Sequence, residues 1–123
     1  MLSGVSQVAF ASVDPKKLAG FYTDVLGLPF LFETGGMMFL DAGNNVRLMI
    51  GPCYGEREVG GGDVIIYFEP KDWRQAVAAL EAAGVAFVDG GIELMKEAGR
   101  TYALRAFRDP EGHQLALLGW RNE

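Results

Sequence analysis

The chain has 123 residues, half of them hydrophobic and 22% charged, with a formal net charge of −5 at pH 7. That length suits one domain with a real core. The acidic balance argues against nucleic acid or an anionic membrane surface as partner, since neither is drawn to a negative protein.

Residues 5–13 read as a strand. Asp14 follows as a helix N-cap, with Pro15 at the first helical position, where its missing N–H costs nothing. A helix over 15–26 places Leu18, Phe21, Tyr22 and Val25 on one apolar stripe, and Gly27 stops it. Strands are expected over 30–33, 37–40 and 46–50, with Gly35-Gly36 and Gly43-Asn44-Asn45 as turns. Residues 51–63 hold Gly55 and Gly60-Gly61-Gly62. They lack the Gly-Lys-Ser/Thr of a phosphate loop and read as a joint. The plan then repeats. Residues 64–69 form a strand, and 72–83 a helix with Trp73, Val77 and Leu80 apolar. Residues 85–88 form a further strand, 90–99 stay unassigned, and 101–108 and 114–120 are strands.

The repetition is visible in the residues themselves. Asp14…Gly27-Leu28-Pro29-Phe30 matches Asp72…Gly84-Val85-Ala86-Phe87, and a turn precedes each unit's last strand, Asp41-Ala42-Gly43 and Asp109-Pro110-Glu111-Gly112. A repeated unit of this kind often buries its apolar face on its copy and leaves a concavity. The expectation is an α+β fold of two βαβββ modules, 5–52 and 63–120, joined by the glycine-rich linker and forming a curved mixed sheet around a cavity.

Strand alternation assigns that cavity its walls. Gln7, Ala9 and Ala11 share a face, with Val8 and Phe10 turned to the helix. Arg47 and Met49 share another. Ile65, Tyr67 and Glu69 oppose Val64, Ile66 and Phe68. Gln114, Ala116, Leu118 and Trp120 oppose Leu115 and Leu117. The expected ligand-binding set is Gln7, Arg47, Met49, Ile65, Tyr67, Glu69, Ala116 and Trp120. This is an apolar trough with a few polar or aromatic edges, the usual character of a small-molecule site.

The chemistry-bearing side chains are sparse. Cys53 is the single cysteine, which excludes an intrachain disulfide, a thiolate zinc site and a Cys-x-x-Cys pair. It suits a reducing cytoplasm, and with no neighbouring histidine to activate it, it reads as an ordinary cysteine. His113 is the single histidine. It lies in the turn before the last strand, facing away from Ala116, and one imidazole makes neither a metal site nor a triad. Glu93 and Glu97 flank Lys96 and read as a surface charge cluster. No basic leader with a long apolar run opens the sequence, and no apolar stretch approaches the ~20 residues of a membrane span. A cytoplasmic protein without a membrane partner is expected.

Asp14-Pro15-Lys16-Lys17…Phe21-Tyr22-Thr23-Asp24-Val25-Leu26-Gly27-Leu28, joined to Phe107-Arg108-Asp109-Pro110-Glu111-Gly112-His113, resembles the vicinal oxygen chelate superfamily. That group holds glyoxalase I, extradiol dioxygenases, and fosfomycin- and bleomycin-resistance proteins. The resemblance covers nearly the whole chain and implies the glyoxalase/bleomycin resistance fold, commonly as a homodimer. In metal-dependent members four positions face the cavity. Here they map to Gln7, to Met49 (or Arg47 by a slip of register), to Ile65 and to Ala116. Only Gln7 offers an oxygen donor. Isoleucine and alanine have none, and a thioether is a poor ligand for hard divalent ions. The resemblance therefore implies no metal and no cofactor. It implies a binding protein of the bleomycin-resistance type that sequesters an aromatic or cationic compound, stacked on Tyr67 and Trp120. The alternative is a metal-dependent lyase or dioxygenase whose site is rebuilt from Gln7 and carboxylates such as Glu33, Glu69 or Glu93.

Overall fold

The computed structural model describes residues 1–52, 59, 60, 62 and 64–123. Cys53 and part of the glycine-rich joint lie outside the described residues. The chain divides into two compact units, Met1–Gly62 and Asp63–Glu123.

The first unit opens with β1 (Gln7–Ser12). Its last residue, Ser12, is buried, and the Oγ accepts from the N–H of Asp14 at 3.0 Å. Asp14 in turn caps α1 (Pro15–Gly20), its carboxylate accepting from the N–H of Lys17. The helix continues as a π-helical segment over Phe21–Val25. The cause is countable. Gly27 lies thirteen residues after Asp14, whereas Gly84 lies twelve after Asp72. The surplus residue is absorbed as one wide turn, with the N–H of Leu26 reaching the carbonyl of Phe21. β2 (Phe30–Thr34), β3 (Met37–Asp41) and β4 (Arg47–Pro52) complete the unit.

The sheet order is β1-β4-β3-β2, with β1 parallel to β4 and the other pairs antiparallel. The β3–β4 turn needs a positive φ at Gly43, Asn44 and Asn45, the conformation that glycine and asparagine tolerate best. One face of the sheet carries Met38, Leu40, Leu48 and Ile50, all buried with Leu18 and Tyr22 of the helical segment. Each such side chain removed from water contributes about 1.5–3 kcal/mol. Phe10 meets Tyr22 at 6.2 Å between ring centroids, as the alternation predicts.

The second unit repeats the plan with β5 (Ile66–Phe68), α2 (Trp73–Ala82), β6 (Ile92–Glu97), β7 (Arg100–Arg108) and β8 (Gln114–Asn122) in the order β5-β8-β7-β6. Asp72 caps α2 through the N–H of Gln75 at 2.9 Å. Gly84, at φ 83, lets the N–H of Val85 return to the carbonyl of Leu80. Trp73, Leu80, Phe107, Leu115 and Leu117 form the buried core.

One expectation is corrected. Residues 85–88 do not form a strand. They make one bridge, Phe87 to Phe107, and the N–H of Val88 donates to the carbonyl of Ala106. Phe87 sets its ring 6.0 Å from that of Phe107 and beneath the Arg105 guanidinium at 4.0 Å. The third pairing element of the unit is β6, in the stretch the pattern left unassigned. Its hairpin with β7 turns at Ala98-Gly99, where Gly99 takes φ 79.

Candidate functional site

Each sheet keeps one face clear of its own helix. In the first unit cross-strand pairing sorts that face into rows. Gln7 pairs with Arg47, which pairs with Asp41. Ala9 pairs with Met49, Met49 with Phe39, and Phe39 with Phe32. The rings of Phe39 and Phe32 stack with centroids 4.5 Å apart and planes 19° from parallel. The Arg47 guanidinium stands 5.8 Å from the Phe39 centroid. Gly51 keeps the next row low, since a Cβ there would come within 3.1 Å of the Met49 sulfur. A shallow depression of roughly 380 Å³ borders these rows, lined by Ser6, Leu31, Asp41, Asn45, Val46 and Arg47. Gln7 and Arg47 are exposed, and Met49 and Phe39 half-buried.

In the second unit Tyr67 pairs with Ala116 and Ala116 with Ala106, while Trp120 pairs with Tyr102 and Tyr102 with Met95. Tyr102 and Trp120 sit 5.0 Å apart. The Arg100 guanidinium lies 3.8 Å over the Trp120 ring and bonds Glu97 at 2.7 Å. A smaller recess of about 110 Å³ is lined by Lys71, Asp72, Trp73, Arg74, Trp120 and Asn122.

The expected site residues thus fall into two groups. Gln7, Arg47 and Met49 adjoin one another on the first sheet. Tyr67, Ala116 and Trp120 share a face of the second, with Tyr67 exposed and Ala116 fully buried. Ala116 is floor and not exposed wall. Ile65 and Glu69 are exposed and flank the short β5. Trp120 is not an open platform, because Arg100 already covers its ring. Residues not anticipated are Phe32 and Phe39 in the first unit and Arg100 and Tyr102 in the second. Antiparallel pairing of the predicted strands places all four, whereas alternation along the first and last strand of each module does not reach them.

The remaining candidates have structural roles. His113 is buried, its Nδ1 2.7 Å from Asp109 Oδ2. The other oxygen of Asp109 accepts from the N–H groups of Glu111 and His113. Glu93 is ion-paired with Lys96 and with Arg121, each at 3.2 Å. The Lys96 hydrogen bond, followed by that from Arg121, holds the Glu93 carboxyl below the usual range.

The four mapped metal positions do not suit a divalent cation. Gln7 has the guanidinium-bearing Arg47 as its direct cross-strand neighbour, and Met49 pairs with Ala9. Ile65 and Ala116 carry no donor. Among the described residues no group of three or more His, Cys, Asp or Glu side chains could hold an ion.

A family model described as the Glyoxalase/Bleomycin resistance protein/Dioxygenase superfamily matches residues 4–117. No curated protein matches significantly by sequence. Solved structures are similar throughout. TnmS3, an antibiotic-binding protein from Streptomyces sp. CB03234, has 20% identity and a TM-score of 0.78, with 99% of this chain and 98% of that one covered. A superfamily member from Sphaerobacter thermophilus DSM 20745 has 23% identity and a TM-score of 0.75, covering 96% and 98%. A lactoylglutathione lyase from Agrobacterium tumefaciens has 18% identity and a TM-score of 0.72, covering 95% and 93%.

Proposed function

Because the chain belongs to the glyoxalase, bleomycin resistance protein and dioxygenase superfamily, whose fold carries both binders and enzymes, we propose that it is a metal-free binding protein. It takes up an aromatic small molecule on its apolar sheet surface and releases it unchanged. The observation that carries this reading is the donor set. Of Gln7, Met49, Ile65 and Ala116, one alone offers oxygen, and a fixed positive charge stands beside it. A catalytic divalent site usually needs about three protein ligands. The phenylalanines, stacked on each other, offer what such a site lacks, apolar ring edges against which an aromatic guest can pack. The antibiotic-binding TnmS3 supports the reading as a protein of the same fold. We place the protein in the cytoplasm. No described helix is long and apolar enough to cross a membrane. It works as a homodimer, joined through exposed apolar edge strands.

The test has two readouts. Metal analysis of protein purified without chelator should find substoichiometric Ni, Zn, Fe and Mn. A thermal-shift screen of polycyclic aromatic compounds should find some that raise the melting temperature saturably, since a ligand binding only the native state adds about 2.7 kcal/mol at a hundred times its Kd. Hits should be recovered chemically intact. One equivalent of a transition ion, with turnover abolished on chelation, overturns the reading in favour of a lyase or dioxygenase.

A further inference from the structure

The charge of the ligand can be argued from what already occupies the aromatic faces. A cationic guest would seek the face of an electron-rich ring. In each unit the chain's own guanidinium takes such a position, Arg100 at 3.8 Å from Trp120 and Arg47 at 5.8 Å from Phe39. The two arginines differ in one respect. Arg100 is neutralised by a two-pronged bond to Glu97, at 3.0 Å from Nε and 2.7 Å from Nη2. Arg47 makes no ion pair among the described residues and is exposed. Its acidic neighbour on the same row, Asp41, lines the same depression and forms no ion pair with it, while its Oδ1 accepts from the N–H of Gly43 at 2.8 Å. On its other side stands the neutral amide of Gln7.

Building on the binding reading above, we infer that the first sheet selects planar aromatic acids. The ring system packs edge-to-face against the stacked pair Phe39 and Phe32, and an attached carboxylate or phenolate is held by Arg47. A guanidinium suits this role because its N–H fork matches a carboxylate edge and stays charged at all working pH values. Phe39, its centroid 5.8 Å from the guanidinium, lets the acid group and the ring system engage at the same time. Met49 and Ala9, in the same row, extend the apolar floor. The net charge of −5 slows the approach of any anion. Selection therefore comes from the short-range bond and not from long-range steering.

The experiment is calorimetric titration of the full chain with three probes sharing one ring system, 2-naphthoate, 2-naphthamide and 2-naphthylmethylammonium. The carboxylate should bind about tenfold more tightly than the amide, the gain a charge-assisted bond contributes over a neutral one, and the ammonium most weakly. Arg47→Gln should weaken the carboxylate about tenfold and bring carboxylate and amide to the same affinity. Arg47→Glu should reverse the order in favour of the ammonium. Arg47 is on the surface, so both variants should keep the parent's melting temperature. Equal affinity for the three probes, or tightest binding of the ammonium, overturns selection for acids and leaves the binding reading intact. Failure of all three to bind at millimolar concentration counts against both.

Discussion

At the scale of single residues, two aspartates with the same apparent role carry different weight. Asp72 and Asp109 each open onto backbone N–H groups. Asp72 lies on the surface, its carboxylate accepting from Gln75, and water can replace what it provides. Asp109 is 4% exposed and accepts from the N–H groups of Glu111 and His113 while its other oxygen meets the His113 ring. Removing it strands the buried His113 N–H and the part-buried Glu111 N–H and leaves the buried His113 ring without this partner, and an unsatisfied buried donor costs about 1–3 kcal/mol. Asp72→Ala should therefore lower stability by about 1 kcal/mol, the usual value of an N-cap, and Asp109→Ala by about 3 kcal/mol or more. Urea denaturation of the two variants checks this, and equal losses would refute the ranking.

Elements were legible where local chemistry sets them and less so where pairing does. The Asp-Pro start of α1, the Asp72 cap and the glycine stops follow from backbone valence and left-handed φ, and all stand where the residues put them. The run Val85-Ala86-Phe87-Val88 looked like a strand by composition, yet it packs across Phe107 in place of joining the ladder. Apolar content reports burial and does not say which neighbour provides it. β6 escaped notice for the opposite reason. It is exposed along its whole length and breaks register between Glu93 and Met95. Phe32, Phe39, Arg100 and Tyr102 are illegible through the same gap, because they acquire their neighbours only from antiparallel pairing. β6 also carries a pH-dependent contribution. Lys96 and then Arg121 depress the Glu93 carboxyl in the folded state. Its stabilising part is present above the unfolded-state value and lost as pH falls through the lower folded one. Glu93→Gln should flatten the acid limb of the stability-versus-pH curve, more visibly at low salt because the group is exposed. An unchanged acid limb in urea midpoints from neutral to acid pH would show that the pairs contribute nothing.

For the whole molecule the edges are decisive. β2 and β6 each close their sheet on one side, and both break register once, between Phe30 and Phe32 and between Glu93 and Met95. Both present apolar side chains to solvent, with Leu31 at 44% and Leu94 at 52% exposure. Exposed apolar edge strands invite pairing with another chain unless charge or proline blunts them; neither strand contains proline, and β2 carries a single charge, Glu33, against three on β6, Glu93, Lys96 and Glu97. The proposed homodimer, formed through one of these edges, would satisfy both the open backbone groups and the apolar side chains. Sedimentation equilibrium at micromolar concentration should then give about twice the 13.3 kDa chain mass. Association between two copies of net charge −5 should strengthen as salt screens their repulsion. Leu31→Lys and Leu94→Lys place a gatekeeper charge on one edge each. At exposed positions their effect on folding should stay within about 0.5 kcal/mol, so a drop to monomer mass in one variant alone identifies the edge in use. A parent protein that sediments as a monomer at every salt concentration would show that both edges remain unpaired.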